Sequence, residues 1–326
     1  MSDTNVLSYN LPNYIGELFQ KGQRPNTTLQ LLGDIGSWRP YASWEFPVGQ
    51  QYEVADHTSS TARLEGADAP AATGIVRSPI TNVTQIWQET VRVSYTKQAT
   101  GQQLTGLGIG GQSDPVNDEL NFQTGAKLEF MARNLNWTVL NQTYNKPADN
   151  QAARRTRGLR EAITTNTVAA GDEDFNLDMV DELFGKIVAN GGTSDGENLF
   201  ALAHPAQLRK MNEFFRKDKL KVDEERFVGG VRVRTVWSTF GVLNFVLEND
   251  AASDELLFVN FDVAQLVATP VPGKGVLFRE ELAKTGASES YQLYGEIGLD
   301  HGPEWHHGKI TGLGDTFGTS ASGSAS

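Results

Sequence analysis

In Asn82-Val-Thr-Gln-Ile-Trp-Gln-Glu-Thr-Val-Arg-Val-Ser94 the apolar residues settle into alternation: Val91, Val93 and then Tyr95 point one way, Arg92, Ser94 and Thr96 the other. A period of two marks a strand with one face buried and one face wet. Upstream, residues 41–82 are rich in Gly, Ala, Ser, Thr and Pro. They carry aromatics at the near end (Tyr41, Trp44, Phe46, Tyr52) and have no helical period. A stretch of about forty residues without strong structure is unusual inside a compact domain and commonly functional. Together the two stretches predict a long, projecting β-hairpin that ends in a solid strand over about 83–97.

Downstream, glycines 106, 108, 110 and 111 break the chain. Ser113 or Asp114 then caps a helix with Pro115 in its first turn. Leu120, Leu128, Met131, Leu135 and Val139 fall on one face, and Asn145 and Pro147 end the pattern. A helix over about 114–144 would be roughly 45 Å long at ~1.5 Å per residue, which is long for a globular protein. A second helix is predicted over 176–190 (Val180, Leu183, Phe184, Ile187, Val188) and a third after Pro205. Strands follow at Val231 to Trp237, 242–248, 256–267, 276–282 and 290–299. Residues 1–40 are broken by Pro12, Gly16, Gly22, Pro25, Gly33 and Gly36 and read as an extended arm. The Gly/Ser/Ala end, 318–326, reads as a flexible tail.

The chain has 326 residues, enough for a sizeable core, and no cysteine, which excludes disulfides and thiolate chemistry. No signal peptide or membrane-spanning run is visible, so the expectation is a cytoplasmic product with no membrane partner. A net charge of −12 argues against sequence-specific nucleic-acid binding, which runs on basic surfaces. It is compatible with a container that holds DNA without adhering to it.

Catalytic and ligand-binding patterns are weak. Gly106-Leu-Gly-Ile-Gly-Gly111 matches a dinucleotide fingerprint, but the strand before it alternates and no βαβ unit follows. It reads as a turn before the long helix. His301, His306 and His307, with Asp300 and Glu304, have the residue types of a zinc site but no framework, and read as part of the polar surface. The pairs Glu224-Glu225 and Glu280-Glu281 are sequence neighbours and point apart. Sequons at Asn26, Asn82, Asn136 and Asn141 read as chance matches. No catalytic residue, cofactor or metal is therefore expected. The run Arg154-Arg-Thr-Arg157-Gly-Leu-Arg160 is different, because four arginines in an acidic chain must find acidic partners or phosphates. An intrachain ion-pair network is the alternative to an interface.

The stretches 82–94 and Arg154-Arg-Thr-Arg-Gly-Leu-Arg-Glu-Ala-Ile-Thr-Thr-Asn166, with the order of parts, resemble tailed-bacteriophage major capsid (major head) proteins, whose fold is shared with the herpesvirus capsid floor. The resemblance covers roughly 40–310. It implies an α+β fold in named parts: an N-terminal arm (1–40), an extended loop with its return strand (41–97), and a peripheral domain (98–170 and 270–317). That peripheral domain carries a spine helix at about 114–145. An axial αβ domain (171–269) and a tail (318–326) complete it.

The resemblance also implies a function: self-assembly into hexamers and pentamers of a phage head that encloses double-stranded DNA, with scaffolding, portal and decoration proteins as possible partners. A tail or fibre protein is the alternative. Some capsids of this fold weld their loop to a neighbour through a lysine; here no lysine occurs between Lys21 and Lys97, so a non-covalent shell is expected. Glu45, Glu53, Asp56, Glu65 and Asp68 outnumber Arg63 and Arg77 in the loop. The expected contact is this acidic loop on a neighbour's Arg154, Arg155, Arg157 and Arg160, where opposite charge fixes register more than it adds affinity.

Overall fold

Leu31 and Leu32 are buried against the long mid-chain helix, in a core that also takes side chains from both large sheets. The computed structural model describes residues 24–35, 38–51, 63–69, 74–75, 77–97, 119–149, 151–193, 198–217, 224–228, 231–238 and 241–314. The glycine motif at 106–111 and the tail lie outside them. The stretch expected to be an irregular arm contains a nine-residue helix, Thr27–Ile35 (α1). Pro25 and Gly36 flank it, and only Gly33 lies within. Gly33 costs about 1 kcal/mol against Ala. Burying Leu31 and Leu32 returns about 1.5–3 kcal/mol each, so packing wins.

The two-residue strand Arg39–Pro40 (β1) comes next. Glu45–Gln51 (β2) then pairs antiparallel with Ser78–Val83 (β3), with a register shift between Pro47 and Gln50. This is the base of the expected hairpin; 52–62, 70–73 and 76 lie outside the described residues. Gln85–Ser94 (β4) follows, with Trp87, Val91 and Val93 buried as its alternation demands. The helix Glu119–Asn141 (α2) buries Met131, Leu135, Val139 and Leu140. Its first half buries nothing, and Leu128, on the face expected to be internal, is 37% exposed. The apolar face thus runs on past the edge of the core.

A five-stranded sheet is built around the long strand Ser288–Asp300 (β13). On one side β13 pairs with β4. On the other it pairs with Leu277–Glu281 (β12) and Gln265–Ala268 (β11), and β1 pairs in parallel with β11. A seven-stranded sheet runs in the order Thr167–Ala169 (β5), Gly308–Thr311 (β14), Leu256–Asn260 (β10), Leu199–Ala203 (β6), Gly241–Leu247 (β9), Val231–Ser238 (β8) and Glu224–Val228 (β7). β6 and β10 are buried at every position, which is why they show no alternation. Between α2 and β5 lies one helical turn, Leu159–Ala162 (α3). Leu177–Ala189 (α4), capped by Asn176, packs Leu183, Phe184 and Ile187 on the larger sheet. Pro205–Lys217 (α5) adds Met211 to the same cluster.

The sheets do not follow the expected domain boundaries. β11 falls in the stretch assigned to the axial part, yet it belongs to the five-stranded sheet. β14 falls in the stretch assigned to the peripheral part, yet it completes the seven-stranded sheet between β5 and β10. Periodicity locates strands; it carries no information about which distant strand each one pairs with.

Candidate subunit interface

Asn82, next to the last residue of β3, fixes the arginine run in place. Its side chain is fully buried; Oδ1 accepts from the N–H groups of Arg157 (2.8 Å) and Val83 (2.9 Å), and Nδ2 donates to Leu299 O (2.7 Å). Leu299 N–H donates to Thr156 Oγ1 at 3.1 Å. Arg155 exchanges both backbone bonds with Asn145. A Cβ on Gly158 would lie 2.8 Å from Gln142 N, so only glycine lets the strip pass under the end of α2. Thr156 and Gly158 therefore face inward, and the arginine side chains are turned outward.

Those side chains do not form one undivided patch. Arg154 reaches Glu296 (3.4 Å) and stacks over the Trp44 ring at 5.3 Å. Glu296 also accepts from the Tyr294 hydroxyl, whose pKa is pushed up to about 12 by burial and then by that bond. Arg160 pairs with Glu255 at 2.7 Å, which raises its pKa. Arg157 lies 4.4 Å from the centre of the Tyr144 ring. For Arg154 and Arg160 the intrachain alternative is what the structure contains. Arg155 is exposed and makes no ion pair among the described residues.

The acidic loop residues divide as well. Glu45 is paired with Lys146 at 2.6 Å, and that bond holds its carboxyl below the usual range. Lys146 also sits 5.9 Å from the Trp44 ring, so this half-exposed indole lies between two cations. Glu65 and Asp68 are exposed within a tight turn closed by Arg63 Nη1–H donating to Asp68 O (3.1 Å) and Ala67 N–H to Leu64 O (3.2 Å). Gly66 takes φ +79° there, and Leu64 projects with 86% of its surface exposed. Glu53 and Asp56 lie outside the described residues.

A feature that sequence reasoning missed is the groove beside Trp44. Ile86, Pro147, Ala152, Arg154 and Arg155 line it with Trp44, and it holds about 460 Å³. Ile86 is 47% exposed. In sequence, Trp44 and Ile86 look like core residues; nothing local distinguishes an exposed aromatic from a buried one.

The histidine cluster is not polar surface as expected: His301 and His307 are buried, because the chain between β13 and β14 turns them inward. His307 accepts from Asn260 N–H through Nδ1 (3.1 Å), and its Nε2 lies 2.6 Å from His301 O. Glu304 takes the N–H and O–H groups of Thr164 and Thr165, and those bonds hold its pKa down against burial. Among the described residues no group of three or more His, Asp or Glu side chains is arranged to hold a metal. Asn82 and Asn136 are fully buried and so cannot carry glycans. Among the described residues no helix is long and apolar enough to cross a membrane.

A family model described as SU10 major capsid protein matches residues 2–314. No curated protein matches the chain. Among solved structures, the cyanophage A-1(L) capsid asymmetric unit is similar with a TM-score of 0.62 at 11% identity, covering 95% of this chain and 99% of that one. The holo-SrpI encapsulin complex from Synechococcus elongatus PCC 7942 is similar with a TM-score of 0.61 at 14% identity over 95% and 94%. The capsid of Myoviridae phage XM1 is similar with a TM-score of 0.55 at 12% identity over 91% and 95%. At such identities the likeness establishes the fold alone, and that fold is the phage major capsid fold.

Proposed function

From the premise that this chain belongs to the SU10 major capsid protein family, we propose that it is the subunit of a tailed-phage head, whose copies form hexamers and pentamers that close around double-stranded DNA. The family is one of structural capsid proteins, which places the chain in a virion. The reading rests on that match across nearly the whole chain. Assembly takes place in the host cytoplasm, with scaffolding, portal and decoration proteins as partners, and involves no catalysis, cofactor or membrane. Electron microscopy of the purified chain tests it. Closed shells or rings of five and six copies are expected; tubes, trimeric fibres or a persistent monomer would refute it.

At residue level, the exposed turn at 63–68 of one copy docks in the Trp44 groove of the next. Leu64 fills the apolar part, and Glu65 and Asp68 meet Arg155. Glu53 and Asp56 add to the acidic side and Arg157 to the basic side, while Arg154 and Arg160 stay paired with Glu296 and Glu255 of their own chain. The support is an exposed leucine in an acidic turn and a groove lined by Trp44, Ile86, Arg154 and Arg155, together with an arginine that has no ion pair of its own among the described residues. Arg155→Glu should raise the subunit concentration needed for assembly by at least about tenfold, as the loss of an interface charge pair predicts. Glu65→Lys with Asp68→Lys should restore it. Normal assembly of Arg155→Glu alone would eliminate this contact while leaving the capsid assignment intact. The shell is held non-covalently, since the loop contains no lysine. A ladder of linked subunits on a denaturing gel would contradict that.

A further inference from the structure

The two sheets are joined by an interrupted hairpin. β10 and β14 pair with Phe258 opposite Gly308, and β11 and β13 pair with Gln265 opposite Asp300. The same two lengths of chain thus run side by side twice, once in each sheet. Between the pairings, 259–264 faces 301–307, and the β10–β14 and β11–β13 ladders stop. The strands still approach closely there: Gly302 takes φ +65°, and a Cβ on it would lie 2.5 Å from Val263 O.

In this gap the Asn260 N–H donates to the His307 ring instead of to a backbone carbonyl. Because Nδ1 accepts, the ring proton sits on Nε2 and is donated to His301 O. Asn166 Nδ2 holds the Trp305 and His307 carbonyls, each at 2.8 Å. His307 is fully buried.

We propose that 259–264 together with 301–307 is the hinge between the two sheets, and that His307 is its pin, replacing a missing backbone acceptor and letting go on protonation. A second proton on the ring would turn Nδ1 into a donor facing the Asn260 N–H, so the bond would become a repulsion. Among the described residues no uncommitted counter-charge is at hand. Glu304, from the adjacent 3-10 turn, is committed to Thr164 and Thr165. Asp300, at the end of β13, serves Gly302 N–H and Arg39. Asp262, on the crossover, accepts from Asn198. Glu182 and Lys186 on α4 pair with each other. His301, His306 and Arg157 add only neutral or positive groups. Burial holds His307 and His301 neutral down to about 4, so the pin is closed at neutral pH and opens as pH falls toward that value.

Hydrogen exchange read by mass spectrometry on the full chain tests the pin, with rates corrected for intrinsic pH dependence. Protection of the Asn260 amide should fall at least about tenfold between pH 6 and 4. The β6 amides should keep theirs. In His307→Gln that pH dependence should vanish; an unchanged dependence would overturn the pin. If His307→Gln does not fold, the C2–H exchange of His307 in the natural chain gives its pKa directly. A value more than one unit from the midpoint of Asn260 deprotection would overturn the pin equally. The hinge itself is read by spin labels at Thr90→Cys on β4 and Glu182→Cys on α4, since the chain has no other cysteine. Their distance distribution should broaden at pH 4. An unchanged distribution alongside loss of Asn260 protection would overturn the hinge.

Discussion

Asn82 has three segments in its keeping: the loop base, the arginine strip and the end of β13. Replacing it by Ala takes the partner from two N–H groups and a carbonyl around a fully buried side chain. Each such loss costs about 1–3 kcal/mol, so Asn82→Ala should lower unfolding stability by about 3 kcal/mol in urea titrations. A change below about 0.5 kcal/mol would mean that the bonds are replaced. Gly158→Ala should be comparably harmful for a steric reason, because the backbone of Gln142 cannot retreat without unwinding the end of α2. A melting temperature within a degree of the parent would contradict that. The arginines show where residue-scale reading of the sequence ends. Their need for acidic partners was legible, but Glu255 and Glu296 lie about a hundred residues or more away, and only the fold brings them close.

The N-terminal helix depends on one buried carboxylate. Glu248 is fully buried and accepts from Thr28 N–H (2.9 Å) and Oγ1–H (2.6 Å), from Asn136 Nδ2 (3.1 Å) and from Asp250 N–H (3.1 Å). Asn136 Oδ1 in turn accepts from Leu29 N–H at 3.0 Å. A negative charge at a helix N-terminus is favourable, and here it ties α1 to α2 and to the turn after β9. Burial raises the Glu248 pKa, and these hydrogen bonds oppose the rise. Glu248→Ala should destabilise the chain by about 3 kcal/mol, within the range for removing one member of a buried charged network. It should also expose the chain after Arg24 to trypsin while β6 and β10 stay protected. Persistent resistance at Arg24 would show that α1 is held by its leucines alone. This helix was not legible in the sequence: it is short, contains a glycine, and owes its stability to residues 107–220 positions away. The long helix and the alternating strands were legible because their signal is local.

For the molecule as a whole, acid is the predicted weakness. His301 and His307 have folded pKa values lowered from 6.5 to about 4, chiefly by burial. Between those values the unfolded chain binds protons that the folded chain refuses, so stability falls as pH drops through that window. Above about 6.5 these two residues contribute no pH dependence. Urea midpoints should therefore fall from pH 7 to pH 4.5, and His301→Leu should flatten part of the decline. An equally steep decline in that variant would assign it to the carboxylates.

The position of β14 has a consequence in time. The strand lies between β5 and β10, so without residues 308–311 the seven-stranded sheet is split. During synthesis, every other strand of that sheet emerges before the one that closes it. Non-local pairing of this kind makes folding wait for distant chain to arrive. The seven-stranded sheet of a nascent copy thus stays incomplete until almost the whole described chain has been made. Under the proposed function, that order of emergence would keep half-made subunits out of a growing shell.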